Sequence, residues 1–486
     1  VGGLRLLDFF TTRANLRGPQ TPDAHLNKIT GQYHCLLSLS DHKIALKSSI
    51  QIHMRWLLLS LSICAFFSAL GNSSGNFYDA RGDSLPRPNI ILIIAESHRS
   101  EAIAGSGNSF IQTPNLKRLA SEGVKFNNFY VTTAICCVSR ASIMSGQYGH
   151  THGINDFSTD FTKAAFSKTL PMQMRDAGYN LSWVGFFGVG KNPPKEDFYY
   201  WKAKIPWESN GLHNTDLTVE SVNNFLDNYK SKVPFFMCVN FDAAHEIDPT
   251  PSAPAHYLVQ DRFKNLYSDI DIPEPKTADP QYWSEFPVFF RDRRNIGRKR
   301  WYGFFSTKAL LQKSTKDYYR LITGLDDAVG RIRNKLVKEG LDKNTIIVYT
   351  SDHGVSLGEH GLMGKWYPYD VSMHVPFILY DPRSTALSGK ESDAFALNID
   401  IAPTLLGLVG LNAPSEMEGE NLIDLIKGKI KPRDYFLSEY SVFGAPQLFE
   451  TKAIVSKQFR YITYTEYGYE QLFDIVKDPE ESSNLV

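Results

Sequence analysis

The chain has 486 residues, 42% of them hydrophobic and 13% aromatic, enough for one large core or two. Lys+Arg and Asp+Glu both number 52, so the formal net charge is zero and bulk charge argues for neither nucleic acid nor an anionic membrane as partner. No internal repeat is apparent.

The first methionine is Met54, and from it runs MRWLLLSLSICAFFSALG. Arg55 supplies a positive start, Leu57 to Leu70 is apolar or small, and Ala69 and Gly71 have the spacing of a cleavage site. This pattern predicts a secretory signal peptide over 54–71. The alternative is a signal anchor, but the apolar run is short for a full span, so no stable membrane span is expected. Residues 1–53 then read as a non-native upstream segment without function. The expected location is the secretory pathway, extracellular or lysosomal. Asn72-Ser73-Ser74 and Asn180-Leu181-Ser182 are glycosylation sequons. Beyond Gly71 only Cys136, Cys137 and Cys238 remain, too few for a disulfide framework, so the fold must rest on its core. Adjacent cysteines also pair poorly with each other.

"RPNIILIIAE", which includes Pro88, is a continuous apolar, β-branched run and suits a strand buried on both faces. "QTPNLKRLASEG" follows as a helix, with Thr113 as its cap, Pro114 in its first turn, Leu116, Leu119 and Ala120 on one face, and Gly123 at its end. "VPFFMCVNF" and "NTIIVYTSD" read as further buried strands. Between them "DYYRLITGLDDAVGRIRNKLVKEG" is a long amphipathic helix closed by Gly340. Alternating strands and helices predict an α/β fold: a large, mostly parallel sheet sandwiched by helices.

Such sheets place ligands beyond the C-terminal ends of their strands. Glu96 directly follows the first strand, His245 lies just past the third, and Asp352-His353 just past the fourth. That common placement groups them into one expected site. Residues 246–310 read as an irregular insertion. It contains "RDRRNIGRKR", six basic residues in ten, read as a solvated loop, with an anionic-glycan contact as the sharper alternative. After about residue 430, short strand patterns predict a small antiparallel C-terminal subdomain.

"CCVSRASIMSGQYGHTHGI" resembles the sulfatase signature C-x-P-S-R-x-x-x-x-x-G. "RPNIILIIA" is similar to the opening strand of that family. "TSDHGVSLGEHGLMGKWYPYDVSMHVPFILY" is similar to a block of iduronate sulfatases and related bacterial enzymes, and "EQLFDIVKDPEESSNLV" to the family's closing segment. The chain is therefore identified as a member of the sulfatase family, within the alkaline phosphatase superfamily. The resemblance implies a catalytic domain over 86–430 and a C-terminal subdomain over 431–486. It implies hydrolysis of a sulfate ester or sulfamate on a small molecule or glycan. Cys136 matches the cysteine that a formylglycine-generating enzyme oxidises, giving a nucleophile that also binds metal. Glu96, Asp352 and His353 match metal positions for one divalent cation, calcium, with manganese or zinc as alternatives. Arg140 would orient the nucleophile, Lys365 would contact sulfate, and His245 would lie near the leaving-group oxygen.

The chain departs from the family at several positions. Glu96-Ser97 stands where the family has Asp-Asp, and Val138 where the maturation signal has Pro. "GFFGVG" aligns with "G-K-W-H-L-G", so Phe186 replaces a lysine and Gly188 a histidine; Lys191 is nearby in sequence. These departures support a second reading, a catalytically weakened relative that binds sulfated ligands. Glu96, Asp352 and His353 also resemble the metal site of phosphoethanolamine and phosphoglycerol transferases. A metal-dependent phospho-group transferase is therefore a lesser alternative.

Overall fold

The computed structural model describes residues 87–250, 253–441 and 448–486, with the short strands Phe77–Tyr78 and Ser84–Leu85. The expected signal peptide and Asn72 lie outside the described residues.

The apolar run after Pro88 forms β1 (Asn89–Ala95), buried at all seven positions. Ile90, Leu92 and Ile94 enter one core, while Ile91, Ile93 and Ala95 enter another on the opposite face. That alternation is the pleat of a strand with no solvent side. The remaining strands of this sheet are β2 (Val124–Tyr130), β3 (Asn180–Gly185), β4 (Tyr200–Lys202), β5 (Phe235–Asn240), β6 (Thr345–Ser351), β7 (Phe377–Tyr380) and β8 (Lys390–Leu397). Their order is β8-β2-β7-β6-β1-β5-β3-β4. Only β7 runs against the others. The expected mostly parallel sheet is therefore observed, with β6, β1 and β5 at its centre.

Helices cover both faces. Helix α1 (Pro114–Glu122) begins and ends where its sequence predicts, and Leu116 and Leu119 are buried. Its cap differs from the expectation. The Thr113 side chain does not cap the helix; its Oγ1 accepts from the Ala104 N–H instead. Asp326 takes the free N–H groups of Asn115 and Leu116, at 3.2 and 2.7 Å. A carboxylate from a distant element thus does the work of a local cap. Asp326 belongs to the long helix predicted from the amphipathic pattern, which spans Lys308–Lys338. Gly340, at φ +66°, adopts the left-handed conformation just beyond it.

The C-terminal strands β9 (Tyr435–Tyr440), β10 (Thr451–Ser456), β11 (Phe459–Tyr464) and β12 (Tyr469–Asp474) form the expected antiparallel sheet in sequence order. Residues 246–310 are less irregular than their composition suggests. They include the helices Pro280–Glu285 and Ile296–Phe304. Phe286 and Phe290 from this stretch join Ile462, Tyr464 and Phe473 of the C-terminal sheet in a third core. Its aromatics cement the two sheets' surroundings together. Among the described residues, no helix is long and apolar enough to cross a membrane.

Candidate active site

Strand ends and one helix start build the site. Glu96 leaves β1, and Asp352 and His353 leave the adjacent, parallel β6. Cys136 opens helix α2 (Cys136–Ser145). That helix is buried at every residue and ends at Gly146, whose φ of +67° suits glycine. Ser139 fixes the helix from behind, its Oγ accepting from Asn398 Nδ2 at 2.9 Å. Arg140 follows Cys136 by one turn and so faces the same way.

Around Cys136 Sγ lie Lys365 Nζ at 2.7 Å, Glu96 Oε1 at 2.9 Å and His353 Nε2 at 3.3 Å. Arg140 ties the carboxylates together: Nη2 reaches Glu96 Oε2 at 3.0 Å and Asp352 Oδ2 at 2.9 Å. Its Nε donates to Asp352 Oδ2 at 3.0 Å and its Nη1 to Asn240 Oδ1 at 2.8 Å. Lys365 Nζ also donates to Glu96 Oε1 at 3.0 Å. Two cations and two carboxylates are thus packed out of water, where each interaction is strengthened and each unpaired charge would be costly.

The titrations follow from that crowding. Burial opposes ionisation of Glu96, yet Lys365, His353 and Arg140 hold its carboxyl well below the usual range. Burial and the neighbouring Glu96 push Asp352 up. Burial, with Glu96 adding to it, pushes the Cys136 thiol well above its ordinary value, so the sulfur keeps its proton. Burial disfavours charge on Lys365, but Cys136 and Glu96 hold the ammonium above its ordinary range. Burial and then Lys365 lower both His353 and His245 to about 4, so both rings are neutral near pH 7.

The donor set fits a divalent cation. Ligand atoms of Glu96, Cys136, Asp352 and His353 all lie within 4.8 Å of one another. His353 Nδ1 is 2.7 Å from the Gly354 carbonyl and donates to it, so the neutral ring turns a lone pair at Nε2 towards the site. That lone pair meets Glu96 Oε1 at 3.0 Å. Two acceptors thus face each other with no proton between them, a donor set that suits a cation.

The sulfatase family model matches residues 88–411, two thirds of the chain. The chain belongs to the sulfatase family. A second model, the C-terminal part of N-sulphoglucosamine sulphohydrolase, matches residues 358–486 of this sulfatase. An arylsulfatase of Clostridium perfringens is 31% identical, over 82% of this chain and 90% of that protein. An N-acetylglucosamine-6-O-sulfatase of Bacteroides thetaiotaomicron is 26% identical, over 82% of each. The solved structure of BT4656 with its substrate D-glucosamine-2-N,6-O-disulfate superposes with a TM-score of 0.68 at 24% identity, covering 82% of this chain and 93% of that one. A phosphonate monoester hydrolase of Agrobacterium radiobacter shares the fold at a TM-score of 0.69 and 21% identity, over 82% and 91% of the two chains. The sulfatase is accordingly a sulfuric ester hydrolase by family.

The structure brings Glu96, Cys136, Arg140, Asp352, His353 and Lys365 of this sulfatase into mutual contact. His245 stands at their edge. Its Nδ1 is on the Glu246 carbonyl at 2.5 Å, and it feels Lys365, Glu96 and Arg300. Ser97 adopts φ +60° and offers Asp352 Oδ1 its N–H at 3.4 Å. Lys191 is exposed beside Asp160, away from the cluster. Cys137 packs with Ile135, Val138, Trp366 and Tyr440, and Cys136, Cys137 and Cys238 are all free thiols. Asn180 starts β3, where its Nδ2 donates to Tyr229 at 3.0 Å, a bond that a glycan would displace.

Sequence reasoning passed over three residues. Asn240 ends β5 and holds Arg140, so the strand-end rule could have found it. Asp242 follows two residues on. Arg300, within the basic run, pairs with Glu246 beside His245 and stacks over Trp366 at 5.3 Å, next to Lys365 in the chain. Nothing local in "RDRRNIGRKR" distinguishes that arginine from its solvated neighbours.

Proposed function

We propose that the chain hydrolyses a sulfate ester, carried by a glycan or other sulfated small molecule, through a formylglycine derived from Cys136 and with one divalent cation. The observation that carries this reading is the convergence of Lys365, Glu96 and His353 on Cys136 Sγ, with Arg140 behind them. A formylglycine there would supply, as its hydrate, a hydroxyl nucleophile and a second hydroxyl for release of the sulfate. Glu96, Asp352, His353 and residue 136 would hold the cation, which polarises sulfate oxygens; the carboxylate oxygens suit calcium, while nitrogen also suits manganese or zinc. Lys365 and Arg140 bring fixed positive charge to the place where negative charge collects, with no reorganisation needed at reaction. His245 places an imidazole at the edge of the cluster; it is neutral in the empty site, and the negative charge of a bound sulfate would favour the protonated ring that could donate to a leaving oxygen. The signal peptide would carry the chain past the formylglycine-generating enzyme during maturation.

The test is the mass spectrum of the peptide spanning Cys136, from protein expressed from Met54 in secretory cells. The aldehyde is expected in place of the thiol. The same preparation should hydrolyse an aryl sulfate, lose that activity to a chelator, and regain it with calcium. Cys136→Ala should lower kcat by roughly a thousandfold or more. An unmodified thiol in an inactive protein would instead favour the weakened, ligand-binding reading.

A further inference from the structure

Phe186 is exposed by 37% at the rim of this site, and its ring centroid lies 6.1 Å from that of Phe157, itself exposed by 49%. Phe186 also rests on the catalytic cluster. Its ring centroid is 5.3 Å from Arg140 Cζ, and its carbonyl accepts from Arg140 Nη1 at 3.4 Å. An aromatic ring left partly in water forgoes hydrophobic stabilisation that burial would give, and here it does so beside a buried charged cluster.

Phe186 is one wall of a cleft whose other lining includes Lys204, Ile205, Pro206 and Asp242. Lys204 is exposed at the rim, while Asp242 is half-buried. Asp242 Oδ2 accepts from Asn214 Nδ2 at 2.8 Å. Among the described residues no other hydrogen bond reaches its carboxylate, so Oδ1 is left for a ligand. Burial, with Glu96 adding to it, lifts this carboxyl to about 6, and a hydrogen-bond donor in the cleft would relieve it. The cleft thus presents an aromatic face and a lone, anchored carboxylate, starting at the arginine that joins Glu96 to Asp352.

We propose that this cleft is the subsite for the pyranose ring bearing the scissile sulfate: Phe186 stacks on its C–H face, and Asp242 accepts from its hydroxyl or amine. The proposal rests on the sulfatase reading above and narrows its substrate class. A carboxylate facing the ring repels a uronic acid and favours a neutral or amino sugar. Aromatic stacking alone would accept any flat or apolar leaving group, so Asp242 is the discriminating residue and Phe186 the positioning one.

Binding to the Cys136→Ala protein, measured by calorimetry in the presence of calcium, tests this without turnover. Glucosamine 6-sulfate should bind at least about tenfold more tightly than a 2-sulfated uronic acid, the scale of one hydrogen bond to a charged group. Adding Asp242→Asn should erase that preference. Adding Phe186→Ala should weaken the hexosamine sulfate by about tenfold, whereas Phe186→Trp should keep its affinity, since the stacking face survives. Equal binding of the two sugars, affinities indifferent to both substitutions, or no binding of either sugar would overturn the subsite. Hydrolysis of 4-nitrophenyl sulfate by the unsubstituted protein is a separate readout. Its loss counts against the sulfatase reading. Its presence alongside unselective binding counts against the subsite alone.

Discussion

Gly188 shows how a single residue commits its neighbours. By resemblance the family has a histidine there, and Phe186 stands where it has a lysine. In this chain Gly188 adopts φ +73°, and a Cβ built on it would lie 2.6 Å from Arg140 Cδ and 2.9 Å from Phe186 Cε1. Arg140 cannot yield cheaply, because Glu96, Asp352 and Asn240 all hold its guanidinium. The space of the missing imidazole is therefore taken by the arginine itself. Gly188→His should not restore a family-like site. It should cost about 1–3 kcal/mol of stability from left-handed backbone and overpacking, and lower kcat/KM on an aryl sulfate by roughly tenfold or more. Denaturant unfolding and steady-state kinetics of the purified variant check both. A faster enzyme would mean that Arg140 moves more freely than its bonds suggest.

At the scale of elements, the start of α2 carries the next prediction. Val138 lies in the first turn, where N–H groups have no partner within the helix, and its side chain packs on Ile135 and Cys137. Proline is tolerated in that turn and removes no helical bond. Val138→Pro restores the family's maturation signal, so the fraction of Cys136 converted to the aldehyde should rise, with stability changed by less than about 1 kcal/mol. Quantitative mass spectrometry of the two proteins, expressed side by side, decides it. The elements themselves were legible where burial on two faces writes a long apolar run, as in β1, β5 and β6. The strand-end rule then gathered Glu96, His245, Asp352 and His353 into one region from sequence. Partners remote in sequence left no such trace. The cap of α1 comes from Asp326, and Arg300 reaches the site from a run that reads as solvated loop. Phe286 and Phe290 looked irregular because they fill a core completed by strands more than a hundred residues later.

Over the whole molecule, the C-terminal tail braces the loop that carries Lys365. Arg460, fully buried on β11, reaches Asp370 at 2.8 Å and Glu481 at 2.5 Å. Glu481 also accepts the Asp370 N–H at 2.9 Å, five residues beyond Lys365. Burial opposes charge on Asp370, but His374 and Arg460 hold it well below its ordinary value, so it stays ionised at any pH where the enzyme is handled. Glu481 behaves oppositely: burial, only partly offset by Arg460, raises its carboxyl from 4.5 to about 7. The folded chain therefore binds that proton more tightly than the unfolded chain does. Stability from this group is full below pH 4.5 and is lost as pH rises through 7. Glu481→Gln removes the titration and keeps one acceptor oxygen, enough for Arg460 or for the Asp370 N–H, which different carboxylate oxygens hold here. The thermal midpoint of the unsubstituted protein, relative to the Gln variant, should fall between pH 4.5 and 7.5, by an amount equivalent to roughly 1–3 kcal/mol. Removing the Arg460 charge with Arg460→Met should instead destabilise the protein by about 3–5 kcal/mol near neutral pH, because buried Glu481 and half-buried Asp370 lose the cation that, among the described residues, they share. A midpoint difference that stays flat across that window would mean that Glu481 remains ionised throughout, as a plain ion pair with Arg460. The tail would then brace the Lys365 loop equally well in neutral and acidic surroundings.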